Sequence, residues 1–311
     1  MPPPRPFRFA TGSYATASAA EYVEGARRAE GLGYAVWLTG DHLEPWFFAP
    51  GPALTAAAAA TTTIRVGCAV FANDFRHPAL LAKEAATIDL LTGGRFEFGI
   101  GAGWHKPEYD RAGIPFDPPA VRVARMEEGL AVVKGLWADG AFSFAGTYYA
   151  IADMEGVPKP QQRPHPPIFV GGGGKRLLGF AAREADIVGI HAKALPGGGI
   201  DETGTTEGEF AERVGWVRAA AGTRFDRIEL ALLVTSVAVA DDRQAAAEQL
   251  AGQHGLTAEQ VLACPYFLVG SVERIAEDLL ARRERHGISY VTVYPQDTEA
   301  FAPVVARLAG R

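Results

Sequence analysis

Short apolar segments, each typical of a buried strand, alternate along this chain with longer segments of helical periodicity. The segment Tyr34–Leu38 is apolar at nearly every position, as expected for a parallel strand covered on both faces. Eight strand segments and at least eight helical segments follow one another, which predicts an α/β fold with a parallel sheet. Eight units favour a closed (β/α)8 TIM barrel. An open doubly wound sheet is the alternative, although its usual GxGxxG motif after the first strand is missing.

The predicted elements divide the whole chain, which we expect to form one domain over residues 1–311. Strands are predicted at residues 7–10, 34–38, 64–71, 95–100, 168–170, 187–190, 228–239 and 290–294. A helix opens at the capping box Ser18–Glu21, and others are predicted near residues 52–60, 78–91, 121–137, 176–184, 272–285 and 301–308. Two more are predicted, one after residue 208 and one between the strand at 228–239 and residue 272. A hairpin over 142–151 and a glycine-rich segment over 196–208 predict insertions after strands four and six. Gly197–Gly208 is a candidate lid.

Composition limits the classes of partner. The net charge is −6, and no run of Lys or Arg occurs, so we expect neither nucleic acid nor an anionic membrane surface as the main partner. A small molecule is the better expectation. Cys68 and Cys264 lie far apart and outside any CxxC motif, which predicts two reduced thiols and no metal site. No secretory hydrophobic region follows the N-terminal prolines, so a cytoplasmic location is expected.

In a barrel of this kind, the active site lies where the strands end, which directs attention to the residues just after each strand. Asp41, His42 and Trp46 follow the second predicted strand and bring a carboxylate, an imidazole and an indole to the barrel mouth. We interpret them as candidate catalytic residues. The alternative is that Asp41 caps a turn and His42 is a surface histidine.

Small residues follow the fourth and fifth predicted strands. Ala102 and Gly103, followed by Trp104, would let a flat ring approach the backbone closely. The glycines after strand five lead directly into a helix, whose free N–H groups and dipole favour a phosphate. A flexible linker is the alternative. This predicted phosphate loop comprises Gly171, Gly172, Gly173, Gly174 and Lys175. His191 and Lys193 follow strand six and either line the pocket or lie on its rim.

With these residues placed, the chain resembles the luciferase-like monooxygenase superfamily, and within it the branch that uses coenzyme F420. The resemblance covers nearly the whole length, and its motifs taken together in this order are highly specific. The matching segments are Asp41–Trp46, Ala72–Pro78, Leu91–Arg95, Gly101–Trp104, Gly171–Lys175 and Leu268–Ser271.

The resemblance implies a flavin-type ring across the barrel mouth and a dimer. In F420-using relatives, the aspartate and histidine that match Asp41 and His42 stand at the ring, with the tryptophan that matches Trp46 nearby. Relatives also carry a non-proline cis peptide after strand three against the ring, which would fall near Ala69 and Val70. The phosphate of the cofactor tail would lie on the predicted phosphate loop.

One departure concerns the substrate. Some sugar-phosphate dehydrogenases of this branch place a catalytic glutamate after strand four, where this chain has Trp104. Glu108 follows four residues later and is a candidate substitute. The departure puts a sugar-phosphate substrate in doubt.

The resemblance and the residues leave several functions open. The first is an F420-dependent oxidoreductase that transfers a hydride between the deazaflavin C5 and a small organic substrate; the second is an FMN-dependent luciferase-like monooxygenase. A metal-dependent barrel hydrolase would require an HxH motif after strand one, where Ala10–Ser13 offers none. A non-catalytic ligand-binding barrel is the remaining alternative.

Overall fold

A computed structural model describes residues 4–13, 18–45, 47–193, 195 and 206–311 of the chain. Eight parallel strands form its centre. They are β1 (Arg8–Ser13), β2 (Val36–Thr39), β3 (Arg65–Cys68), β5 (Phe96–Gly101), β8 (Ile168–Gly172), β9 (Ile187–Ile190), β10 (Glu229–Leu233) and β13 (Ile288–Thr292). The remaining strands are β4 (Phe71–Ala72), β6 (Ala141–Ala145), β7 (Ala150–Glu155), β11 (Ser236–Val239) and β12 (Phe267–Gly270).

The eight strands close into a ring. Around it the strands follow the order β3, β2, β1, β13, β10, β9, β8 and β5, and β5 pairs again with β3. All of these pairings are parallel. The closed ring confirms the predicted (β/α)8 barrel and excludes the open doubly wound sheet.

Helices separate the strands along the chain. They are α1 (Ala19–Gly31), α2 (Pro50–Ala59), α3 (Pro78–Leu91), α4 (Lys106–Ala112), α5 (Pro119–Trp137), α6 (Lys175–Glu184), α7 (Glu207–Ala221), α8 (Arg243–His254), α9 (Ala258–Ala263), α10 (Val272–His286) and α11 (Thr298–Leu308). Short 3-10 helices lie at Asn73–Phe75, Gly222–Arg227 and Pro295–Asp297. Within the described residues, none of these helices combines the length and the apolar character that crossing a bilayer requires.

Side chains of the strands alternate between the barrel interior and the layer beneath the helices. On β2, Val36 and Leu38 join a small apolar cluster with residues of β1, β9, β10 and β13. Trp37 between them points outward, and its ring packs edge-on against Tyr22 of α1 at 5.7 Å. This strand is therefore covered on both faces, which explains why its sequence is continuously apolar.

An ionic network fills the N-terminal end of the barrel. Nη1 of Arg8 lies 2.7 Å from Oε1 of Glu97, and Nε of Arg65 lies 2.8 Å from the same oxygen. Arg8 also pairs with Glu229 at 2.6 Å. Burial opposes ionisation of Glu97, but the charges of Arg8 and Arg65 outweigh it and lower the pKa of Glu97. These side chains occupy the N-terminal end, which is consistent with a ligand site at the C-terminal end of the strands.

The insertion predicted after strand four is confirmed: β6 and β7 form an antiparallel hairpin between α5 and β8. The insertion predicted after strand six stays a prediction, because most of Gly197–Gly208 lies outside the described residues. The structure adds a further insertion after β10, which contains β11, α8, α9 and β12.

The predicted single strand over residues 228–239 is wrong. The amide of Val234 still donates to Thr292 of β13, but the next amide, that of Thr235, donates to Tyr266. From there β11 leaves the barrel and pairs in parallel with β12. The predicted strand over 64–71 is likewise divided into β3 and β4, and β4 pairs with Ile100 and Gly101 of β5.

Candidate active site at the barrel mouth

Asp41 follows β2 by two residues and is buried. Its two carboxylate oxygens accept hydrogen bonds from both terminal nitrogens of Arg76, at 2.7 and 2.9 Å. One of these oxygens also accepts the backbone N–H of Ala72 at 2.9 Å. Burial would lower the pKa of Arg76, but the hydrogen bonds to Asp41 contribute to raising it. Asp41 therefore ties the loop after β2 to the segment around β4.

His42 contacts a carboxylate from α4, the helix that follows β5. Its Nδ1 lies 2.5 Å from Oε1 of Glu108, in the first turn of α4. The second oxygen, Oε2, accepts the backbone N–H of Leu43 at 3.1 Å. Glu108 is buried, with 2% of its side chain exposed, whereas 24% of the His42 side chain is exposed. Glu108 thus binds both the imidazole and the backbone that follows it.

Aromatic rings surround the imidazole of His42. The ring of Phe47 lies 4.8 Å away between centroids, and that of Trp104 lies 6.0 Å away in an edge-on arrangement. Trp104 is 38% exposed and also contacts His105 at 5.0 Å. The structure therefore brings Trp104, a predicted pocket residue, next to His42.

A charged cluster lies on the outer side of these rings. Arg111 donates to both oxygens of Glu44 at 2.5 and 2.7 Å, and these bonds lower the pKa of Glu44. Nε2 of His105 lies 3.3 Å from Glu44 and 4.0 Å from Glu108. The three side chains of Glu44, His105 and Glu108 are close enough to share a cation. Both carboxylates, however, already have partners in Arg111, His42 and Leu43.

The peptide bond between Ala69 and Val70 is cis, which confirms the position predicted for it. It follows the end of β3, and Ala69 donates its N–H to Thr39 at the end of β2. The side chain of Val70 packs against β5 at Gly101, where a Cβ atom would lie only 2.5 Å from Val70 Cγ2. Glycine at position 101 therefore makes room for this bulge.

Arg122 of α5 stabilises the turn after β5 through hydrogen bonds to its backbone. Its Nε donates to the carbonyl of Ala102 at 3.2 Å, and its Nη2 donates to that of Gly103 at 3.3 Å. Because β5 pairs with both β3 and β8, this turn lies between the cis peptide and the predicted phosphate loop.

The predicted phosphate loop runs from the last residues of β8 into α6. Gly171 and Gly172 belong to β8, and Gly174 is the N-cap of α6, without a side chain to cap it. A Cβ at position 173 would lie 2.5 Å from the carbonyl oxygen of Ala192, so the loop packs against the chain after β9. Lys175 is exposed, and its Nζ lies 6.0 Å from the ring centroid of Trp216.

His191 lies beside this loop. Its N–H donates to Gly172 at 3.0 Å, and its Nε2 occupies the space that a side chain at Gly171 would need. Burial lowers the pKa of His191 to about 4, so its imidazole is neutral at neutral pH. Lys193 is exposed nearby in sequence.

The structure groups the predicted site residues in two contact sets on one rim. Asp41, His42 and Trp104 belong to the first, whereas the phosphate loop and His191 belong to the second; β5 lies between them. Trp46 lies outside the described residues.

Arg76 and Glu108 contact Asp41 and His42 of the first set, although sequence position alone assigns neither of them a firm role. Arg76 stood only within a matching segment, and Glu108 only as a candidate substitute. Both lie in longer segments that follow β3 and β5, so a search extended beyond the first residues after each strand could have selected them.

Comparison with known proteins identifies the family of this chain. A dimethylsulfone monooxygenase of Pseudomonas putida, described as FMNH2-dependent, is 41% identical over 128 residues, which cover 41% of this chain and 35% of the relative. An F420-dependent glucose-6-phosphate dehydrogenase of Amycolatopsis mediterranei (strain U-32) is 32% identical over 174 residues, which cover 53% of this chain and 51% of the relative. The chain thus matches about half or less of the length of these curated relatives.

Similarity of structure extends further than similarity of sequence. The coenzyme F420-dependent tetrahydromethanopterin reductase of Methanopyrus kandleri superposes with a TM-score of 0.77 over 97% of this chain and 99% of its own. Its sequence identity is 18%, so this likeness concerns the fold alone. A family model described as luciferase-like monooxygenase matches residues 5–287. This chain therefore belongs to the luciferase-like monooxygenase family.

Proposed function

We propose that the chain is an F420-dependent oxidoreductase, which transfers a hydride between C5 of the deazaflavin and a small organic substrate. The observation that carries this proposal is the imidazole of His42, held by buried Glu108 and flanked by Trp104 at the barrel mouth. The 32% identity with an F420-dependent dehydrogenase supports it.

The residues at the mouth fit a flat ring with a phosphate-bearing tail. The cis peptide of Ala69 and Val70 and the turn of Ala102 and Gly103 would hold the ring. The N-terminus of α6 has no side-chain cap, so its first N–H groups are available to a phosphate. Gly171 to Gly174 and Lys175 would form this part of the site.

The side chains around the ring have separate tasks in this proposal. F420, when bound, would give or accept the hydride at C5. His42 would give or accept the proton that balances the hydride on the substrate. Asp41 would position the loop through Arg76. Trp104, His191 and Lys193 would line the substrate pocket.

A second candidate is an FMN-dependent monooxygenase. It is favoured by the 41% identity with an FMNH2-dependent monooxygenase, although that match covers a shorter segment than the match to the dehydrogenase. Both cofactors carry a flat tricyclic ring and a phosphate, so the same cleft suits either. Only binding and turnover distinguish them.

The first experiment titrates the purified chain with F420 and with FMN, followed by the fluorescence of each cofactor. We expect binding of F420, and about tenfold or greater weakening by Gly173→Ala, because a Cβ there meets the carbonyl of Ala192. Gly215→Ala on α7, where nothing lies within 4 Å of the added Cβ, is the matched control. Tight binding of FMN without binding of F420 overturns the proposal.

The second experiment measures oxidation of reduced F420 by compounds with activated C=C, C=N or C=O bonds, and reduction of F420 by alcohols. We expect His42→Gln to lower kcat about 100-fold or more while cofactor affinity is retained. His165→Gln, just before β8 at the opposite end of the barrel, is the control. An unchanged rate in His42→Gln removes His42 from the chemistry.

A further inference from the structure

We propose that Glu108 is a positioning residue, which holds His42 in the tautomer protonated at Nδ1 and leaves Nε2 free for the substrate. The inference rests on the proposed function for the role of His42. The tautomer itself is a property of this chain with or without a cofactor.

The contact between the two side chains sets which nitrogen carries the proton. As an ionised carboxylate, Glu108 can only accept hydrogen bonds. Its Oε1 lies 2.5 Å from Nδ1 of His42, so a proton on Nδ1 satisfies both groups. A neutral imidazole carries one proton, which places the lone pair on Nε2.

The remaining nitrogen is available at the barrel mouth. Among the described residues, Nε2 of His42 has no hydrogen-bond partner. This nitrogen is also not one of the fully buried polar atoms that lack a partner. The rings of Phe47 and Trp104 flank the imidazole, and its Cδ2 lies against Gly40. This packing opposes a ring flip that would exchange the positions of Nδ1 and Cδ2 and so break the contact of Nδ1 with Glu108.

The same carboxylate fixes the backbone next to His42. Its second oxygen accepts the N–H of Leu43 at 3.1 Å, so one buried group orients both the imidazole and the loop that carries it. Glu108 lies in the first turn of α4, where the helix dipole favours a negative charge. The loops after β2 and β5 are thereby joined at the proposed reaction centre.

Two substitutions separate positioning from a purely structural role. Glu108→Gln replaces one of the two acceptor oxygens with an NH2 group, which can only donate. If the amide oxygen keeps the N–H of Leu43, the NH2 group faces Nδ1 of His42 and favours the opposite tautomer. Glu108→Asp keeps two acceptor oxygens on a shorter side chain. Asp110→Asn removes a carboxylate from the same helix, where Asp110 is exposed and paired with Lys106, and is the matched control.

The experiment is NMR spectroscopy of the full chain with 15N-labelled histidine, in which long-range proton–nitrogen correlations report the tautomer. The signals of His42 are assigned by their loss in His42→Gln. We expect protonation at Nδ1 in the wild type and in Asp110→Asn, and a shift toward Nε2 in Glu108→Gln. Glu108→Asp should restore Nδ1 protonation and provides the second variant if Glu108→Gln fails to fold.

A wild-type protein protonated at Nε2, or a Glu108→Gln protein with an unchanged tautomer, overturns the inference. A chain that shows the expected tautomers but binds no F420 instead overturns the proposed function and leaves the inference standing. In F420 turnover, we expect Glu108→Gln to lower kcat about tenfold or more with little change in cofactor affinity. If Glu108→Gln and Glu108→Asp lose kcat to the same extent and folding stability to the same extent, Glu108 has only a structural role.

Discussion

Asp41, a predicted site residue, also stabilises the fold through an ion pair. Its carboxylate is 4% exposed and is paired with both terminal nitrogens of Arg76, whose side chain is 20% exposed. Removing one partner of such a pair leaves an uncompensated charge in a place that water reaches poorly. The predicted catalytic role of Asp41 has to be separated from this contribution to stability.

We therefore expect Asp41→Ala to lower the free energy of unfolding by about 3 kcal/mol, measured by urea denaturation. Lys106→Ala removes an exposed ion pair with Asp110 and should cost about 0.5 kcal/mol or less. If both variants unfold at the wild-type urea concentration while Asp41→Ala loses turnover, Asp41 acts in the chemistry and does little for the fold.

At the scale of elements, Glu30 fastens α1 to the turn before β3. One of its oxygens accepts the backbone N–H groups of Thr62, Thr63 and Ile64 at 2.6 to 3.0 Å. Burial opposes ionisation of Glu30, but these hydrogen bonds outweigh it and lower its pKa to about 2. Since the carboxylate has a lower pKa in the folded state, its stabilising effect is present above pH 4.5 and is lost as the pH falls toward 2.

Glu30→Gln should accordingly weaken the dependence of the melting temperature on pH in this window. Comparison of melting temperatures at pH 6 and pH 3 is the measurement, and Glu24→Gln, an exposed neighbour on the same helix, is the control. Equal pH dependence in the wild type and in Glu30→Gln would contradict the assignment.

Elements also show where sequence patterns are sufficient and where they are not. Barrel strands such as β2 and β9 were predictable because burial on both faces makes their sequences predominantly apolar. The point where the chain leaves the barrel, between Val234 and Thr235, could not be predicted. No Gly or Pro interrupts the sequence there to mark the end of the strand. The pairing of His42 with Glu108 was also hidden, because it depends on how two loops approach each other in space.

At the scale of the whole molecule, the expected homodimer stays a prediction. Two exposed leucines, Leu80 and Leu91, border an apolar groove between α2 and α3, and each is 65% exposed. Such a face is typical of a contact between proteins. Lys83 and Glu84 in the same groove would give a two-fold contact complementary charges.

If a second copy covers this groove, Leu80→Glu combined with Leu91→Glu should convert the dimer into a monomer in size-exclusion chromatography with light scattering. Val157→Glu changes an exposed apolar residue elsewhere and should leave the mass unchanged. A wild-type chain of monomer mass would refute the dimer, and a dimeric double variant would move the contact to another face.

The contact of Val70 with Gly101 has a consequence for how these two positions can vary. The two residues contact each other behind the proposed ring, so a methyl group added at Gly101 would collide with the side chain of Val70. The methyl group fits only if the side chain at position 70 becomes smaller. Gly101→Ala should weaken cofactor binding, and Val70→Ala in the same chain should recover part of the loss, with a coupling of about 1 kcal/mol in a double-mutant cycle. Variation at these positions is then expected to occur in pairs, and a library that samples them one at a time would miss the functional combinations.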